Sequence, residues 1–251
     1  MSKSFLYITA LISVLIASPA AAITWGEPDG EEHPYVASIT AVRYGAPGAC
    51  TGTIIAPRVV LTAAHCLKKA GELNDATYVR FEEDALEGFD DYNTWQEWLE
   101  AEWLSVEAII PHPLWNDWSG FPYTHDVGVI ILAEPYYPSE DEYGELPPPR
   151  ILDNLIGRDR QHFVTVGYGS ENLPPWERGT GQRHKAIVRL IEVNSSISGS
   201  EGANAKFSNN PGIGGGVCHG DSGGPTIYKD IRLIVAVSSF LWPPESFFYC
   251  K

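Results

Sequence analysis

From Tyr35 onward the sequence is a succession of short β-favouring runs, cut at close intervals by Gly, Pro and Asn. Examples are Thr53-Ile54-Ile55, Val59-Val60-Leu61, Val127-Gly128-Val129-Ile130-Ile131-Leu132, Phe163-Val164-Thr165-Val166 and Leu233-Ile234-Val235-Ala236-Val237. Branched side chains suit a pleated surface and the breakers supply turns, so the pattern predicts an antiparallel sandwich or barrel. At 251 residues the chain has room for one large all-β domain or two small ones. The Pro-rich, acidic stretch from Pro135 to Pro149 reads as a connector between two β halves. One segment departs from the pattern. Trp95, Trp98, Leu99 and Trp103 recur at helical spacing with acids between them, which predicts a short helix docked by its tryptophans. An exosite for a partner protein is the alternative use of that stripe.

The first 22 residues form a separate unit. Lys3 precedes an apolar run from Phe5 to Ala17, and Ser18-Pro19-Ala20-Ala21-Ala22 offers the small residues a signal peptidase reads. A membrane anchor needs about 18 apolar residues or more, and this run is shorter. The expectation is a signal peptide over 1–22 and a secreted, extracellular product. The formal charge of −15 repels phosphate backbones and anionic lipid, which argues against nucleic-acid or membrane partners. Glu82, Glu83, Asp84, Glu87, Asp90 and Asp91 offer oxygen atoms to calcium, but without EF-hand spacing, so a solvated acidic loop is expected. The four cysteines, Cys50, Cys66, Cys218 and Cys250, all follow the signal and contain no C-x-x-C pair. An even count in an exported chain predicts two disulfides rather than zinc ligation. Asn194-Ser195-Ser196 is a sequon that takes a glycan in a eukaryotic host.

Three constellations carry chemistry. Leu61-Thr62-Ala63-Ala64-His65-Cys66 follows a β run, Thr124-His125-Asp126-Val127-Gly128-Val129 opens the most apolar run, and Cys218-His219-Gly220-Asp221-Ser222-Gly223-Gly224-Pro225 comes last. A serine hydroxyl needs a base beside it to become a nucleophile, and histidine titrates near working pH. A carboxylate fixes the tautomer of that base and stabilises the imidazolium it becomes. Glycines around Ser222 permit a tight turn that aims backbone N–H groups at a developing oxyanion. Each residue alone has a plainer reading, His65 in the core or Asp126 capping a strand. His125 lacks the Ala-Ala-His-Cys setting and is read as structural. Gly214-Gly215-Gly216 reads as a loop, since no Lys-bearing helix follows as in a P-loop.

Thr62-Ala63-Ala64-His65-Cys66 and Gly220-Asp221-Ser222-Gly223-Gly224-Pro225 resemble the histidine and serine motifs of the chymotrypsin/trypsin family, peptidase family S1. Asp126 resembles its aspartate site, and the order His, Asp, Ser matches. Gly167-Tyr168-Gly169 and Ile109-Ile110-Pro111-His112-Pro113 are similar to further family segments, so the resemblance runs from about Ile23 to Cys250. It implies an all-β fold of two packed six-stranded antiparallel barrels, with the active site between them. The first barrel would span about 23–134, the connector 135–150 and the second barrel 151–251. It implies a serine endopeptidase with His65 as general base and acid, Asp126 orienting it, and an acyl-enzyme on Ser222. The N–H groups of Gly220 and Ser222 would form the oxyanion hole. Cys50 would pair with Cys66 and Cys218 with Cys250. Ile23 would become the mature N-terminus on removal of the signal, its amine pairing with Asp221, and activity would need no second protease.

Specificity follows from the same resemblance. Gly216 would stand at the pocket floor where an acid would select Lys or Arg, which implies a small or restricted apolar residue before the cut. His219, Ser239, Phe240 and Leu241 would line the substrate site, with Leu241, or Phe240 in a register one residue away, narrowing the pocket. The chain stops one residue after Cys250, short of the final strand and C-terminal helix of family domains, so these are expected to be missing. The expected partners are protein or peptide substrates and protein inhibitors, the expected state is a monomer, and no cofactor or metal is implied. A non-catalytic homologue that binds rather than cleaves, or an esterase, is the rival reading.

Overall fold

The computed structural model of the chain describes residues 23–138, 142–155, 163–173, 176–179, 181–193, 198–199, 203–210, 212, 214–229 and 231–241. The signal segment, the Asn194 sequon and Cys250, with its expected bond to Cys218, lie outside the described residues. The first half supplies β1 (Glu27–Pro28), β2 (Val36–Arg43), β3 (Ala46–Ala56), β4 (Val59–Thr62), β5 (Lys68–Lys69) and β6 (Glu72–Leu73). It continues through β7 (Ala76–Arg80), helix α1 (Trp95–Glu102), β8 (Leu104–Pro111) and β9 (Gly128–Leu132). The second half supplies β10 (Phe163–Gly167), β11 (Ser170–Leu173), β12 (Trp176–Gly179), β13 (His184–Val188) and β14 (Leu190–Glu192). Last come β15 (Lys206–Phe207), β16 (Pro225–Tyr228) and β17 (Leu233–Val237).

Strands β2-β3-β4-β9-β8-β7 close into an antiparallel barrel. In β9 the burial alternates: Gly128, Ile130 and Leu132 are buried, while Val129 and Ile131 are half-buried, as the period of two requires. Ile39, Ile54, Val60, Val79, Ile130 and Leu132 are fully buried in its core, each contributing about 1.5–3 kcal/mol by leaving water. Helix α1 begins where Thr94 Oγ1 accepts the Glu97 N–H at 3.2 Å, an N-cap, and it buries Trp98 and Leu99 in the same core. The helical spacing of the tryptophans therefore marks a docked helix.

The second half differs from the expected closed barrel. Its main sheet has five strands in the order β1-β13-β10-β16-β17, and among the described residues it does not close. Among the described residues the edges β1 and β17 share no hydrogen bonds, and β17 and residues 123–127 line a cavity of about 530 Å³. The chain start also crosses over: Glu27 and Pro28 pair with Lys185 and His184, so β1 serves the second sheet and not the first barrel.

A buried polar network joins the halves. Arg183 donates from Nε to Asp29 Oδ2 at 2.8 Å, from Nη1 to the Phe81 carbonyl at 2.9 Å and to the Tyr168 hydroxyl at 3.0 Å. His33 Nδ1 stands 2.5 Å from the other Asp29 oxygen. Burial pushes the Asp29 carboxyl up, but hydrogen bonds and charge from His33 and Arg183 outweigh it and hold the carboxyl below its ordinary value. The pair therefore stabilises the fold at neutral pH and loses that contribution as pH falls through the lowered Asp29 value. Arg183→Ala is expected to cost about 3–5 kcal/mol, because it takes the guanidinium from the buried Asp29 carboxylate and leaves it only the contacts of His33. Thermal unfolding at pH 7 measures this, and adding Asp29→Asn to the same chain should recover part of the loss.

Candidate active site

His65 sits in a one-turn 3-10 helix, Ala64–Cys66, whose position is set from several directions. The disulfide Cys50–Cys66 ties it to β3, and Arg43 donates from Nη2 to the His65 carbonyl at 2.7 Å. Asp126, buried just ahead of β9, accepts the His65 backbone N–H on Oδ1 at 2.8 Å and holds His65 Nδ1 on Oδ2 at 2.7 Å. The Ser239 hydroxyl donates to the same Oδ2 at 2.6 Å. A carboxylate bound this way orients the imidazole and leaves Nε2 toward the cleft. His125 is exposed, has φ of 51° and stacks on His112 at 4.9 Å, so it stands outside this arrangement.

The Ser222 turn lies against the first barrel. Thr51 donates its N–H to the Ser222 carbonyl at 2.8 Å, and Cys66 Sγ lies 3.5 Å from that oxygen. Gly220 has φ of 97°, a conformation that only glycine adopts freely, and it opens the turn. Among the described residues neither the Gly220 nor the Ser222 N–H donates a hydrogen bond, and the Ser222 hydroxyl makes none.

Asp221, between them, is fully buried and points the other way, accepting the Gly169 N–H on Oδ1 and the Cys218 N–H on Oδ2, each at 2.8 Å. A Cβ on Gly169 would lie 2.6 Å from the Asp221 carboxyl carbon, which explains glycine in Gly167-Tyr168-Gly169. Burial pushes the Asp221 carboxyl up to about 7, against the two amides that lower it. Ile23 is also fully buried, and Thr24 exchanges both backbone hydrogen bonds with Gly216 at 3.0 Å. Among the described residues no hydrogen bond or ion pair joins Ile23 to Asp221.

A small cavity of about 40 Å³ opens beside Ser222, lined by Val217, Cys218, His219, Ser238, Ser239, Phe240 and Leu241. Both registers considered for the narrowing residue reach it. Gly216 does not line this cavity. The position of its absent side chain is filled by Asn209, whose Oδ1 is 1.7 Å from where a Cβ would stand. Asn209 belongs to a loop without periodicity, and no sequence signal singles it out. The Cys50, His65 and Cys66 ligand atoms lie within 4.8 Å of one another, but the two sulfurs are bonded to each other and are poor metal donors.

Fold and site together define a class: a two-lobed antiparallel β protein in which a buried aspartate holds a histidine and the Ser222 turn packs against the lobe that carries them. The family model described as Trypsin matches residues 23–245, and the chain belongs to the trypsin family of serine endopeptidases. A trypsin of Simulium vittatum is 35% identical over 244 residues, covering 91% of this chain and 88% of that protein. A venom serine protease of Polistes dominula is 26% identical, covering 89% and 77%. Among solved structures, HL collagenase matches with a TM-score of 0.61 at 21% identity, covering 91% of this chain and 89% of that one. Neuropsin from mouse brain gives 0.58 at 20% identity, covering 86% of each chain.

Proposed function

We propose that the chain is a secreted endopeptidase whose nucleophile is Ser222, with His65 as general base and acid and Asp126 as the group that orients it. The observation that carries this reading is the carboxylate of Asp126, which meets His65 Nδ1 at 2.7 Å and Ser239 Oγ at 2.6 Å. The reaction runs through an acyl-enzyme. His65 takes the Ser222 proton as Oγ attacks the peptide carbonyl, the Gly220 and Ser222 amides receive the oxyanion, and His65 returns the proton to the leaving amine. Water then repeats the cycle on the ester. The missing Ser222–His65 hydrogen bond does not oppose this, since such contacts tighten when substrate is bound. The 40 Å³ cavity supports a small apolar side chain at the cleaved residue, and the residues that line it offer no carboxylate to a basic one.

An aryl phosphonate with a small apolar side chain tests the reading. Peptide mass spectrometry of secreted protein should find one adduct, on Ser222, and none in His65→Ala. Absence of the adduct in folded protein would leave a binding protein on a protease scaffold.

A further inference from the structure

Residues 112–125 bring an aromatic wall to the cleft that none of the sequence motifs announces. Trp118 lies over His65 with ring centroids 5.5 Å apart, Trp115 meets Trp118 edge-on at 4.9 Å, and Phe240 from the other lobe meets Trp118 edge-on at 5.5 Å. Trp118 has φ of 70° and Asp117, just before it, φ of 43°. Two successive non-glycine residues in the left-handed region, one of them a tryptophan, persist only where the surroundings hold them.

The restraint is the Asp117 carboxylate. Oδ1 accepts the Ala70 N–H at 3.0 Å and Oδ2 accepts the Gly71 N–H at 3.2 Å, so both oxygens grip the turn between β5 and β6. The charge of Asp117 also acts on Arg43, the residue that holds the His65 carbonyl. Trp115, next to the clamp, is buried and donates its Nε1–H to the Lys68 carbonyl at 3.2 Å. Two hairpin tips are thereby locked together beside the imidazole.

We propose that Asp117 is a positioning residue: its clamp on Ala70 and Gly71 holds Trp118 as a roof over His65, and the roof confines substrate to a small residue immediately before the cleaved one. This rests on the endopeptidase reading above. With the cleaved residue's side chain in the cavity beside Ser222, an extended substrate turns its preceding side chain to the opposite face. That face is the imidazole, where Trp118 and Phe240 already touch. A large side chain there has to displace Trp118 from a turn that the clamp holds.

Peptides carrying Gly, Ala, Leu or Phe before a small cleaved residue test this, with kcat and KM measured separately. The wild type should favour Gly and Ala over Leu and Phe by about 10-fold or more in kcat/KM, the scale on which pockets discriminate side-chain size. Asp117→Ala and Trp118→Gly should reduce that ratio to within about 3-fold. Asp117→Asn keeps an acceptor and tolerates positive φ, and it should retain most of the ratio. If Asp117 served only to stabilise the fold, Asp117→Ala would lower the melting temperature and slow all four peptides alike, which would overturn the proposal. A second readout needs no turnover: carbethoxylation of His65 by diethyl pyrocarbonate, followed by peptide mass spectrometry. It should be several-fold faster in Asp117→Ala and Trp118→Gly than in wild type, and equal rates would overturn the roof. If no peptide is cut and Ser222 takes no phosphonate, the endopeptidase reading and the peptide preference fall, while the carbethoxylation rates still judge the clamp.

Discussion

Ser222→Ala is expected to lower kcat for peptide hydrolysis by about 10⁶-fold while leaving the melting temperature near that of the wild type. The hydroxyl is half-buried and makes no hydrogen bond among the described residues, so its removal leaves no orphaned partner. His65→Ala should cost about as much, since a serine without its base is a poor nucleophile. Asp126→Asn should cost about 10⁴-fold. The amide keeps the shape of the site but presents a donor where Oδ2 now receives both His65 Nδ1 and the Ser239 hydroxyl. One of those contacts must then fail, and the imidazole is left free to take the wrong tautomer. Combining the three changes should cost no more than Ser222→Ala alone, because the residues act as a unit. The measurement is single-turnover cleavage of a small-residue peptide, with thermal unfolding as the control. Full activity in Ser222→Ala would overturn the assignment of the nucleophile.

The order of legibility along this chain follows the range of the interactions. β4, β9, β10 and β17 were readable because each is a local run of branched side chains, and α1 because the helical spacing of its tryptophans is local as well. His65, Asp126 and Ser222 could be singled out in the sequence because their neighbours are conspicuous: the glycines around Ser222 and the cysteine beside His65 are local signals, and the structure gives Gly220 a φ of 97° and Cys66 a disulfide. The unread features depend on distant partners. Arg183 meets Asp29 from 154 residues away, and Asp117 clamps Ala70 from 47 residues away. Asn209 fills the space beside Gly216 from a loop with no pattern. That the second sheet does not close among the described residues was equally hidden, since strand-like runs do not state whether the edge strands β1 and β17 meet.

Cleavage of the chain immediately before Ile23 is expected to raise activity by about 10²–10³-fold over a form carrying even one more residue. That is the usual effect of losing one oxyanion donor. Asp221 is the source of this effect. Its carboxyl is buried with two amide donors and no cation among the described residues, and burial pushes it up to about 7 from 3.8. Holding it ionised therefore costs roughly 4 kcal/mol at most, at 1.36 kcal/mol per pKa unit. The sign is that of a raised acid. The contribution of Asp221 to the stability of the uncleaved chain is fully present below about pH 4 and is lost as pH rises through 7. In the uncleaved chain the Ile23 nitrogen is a peptide nitrogen and carries no charge. Cleavage turns it into an ammonium on a residue that is already buried, and beside it Thr24 is anchored to Gly216 by two 3.0 Å hydrogen bonds. Pairing that ammonium with Asp221 removes the cost and fixes the Gly220–Ser222 turn with its amides outward. The loss then moves to alkaline pH: activity should fall as the amine is deprotonated, and Asp221→Asn should remove both the gain and this trend. N-terminal sequencing of active, secreted protein decides the matter. A fully active sample beginning at Ala21 would sink the mechanism, because the extra residues would leave Asp221 without its cation.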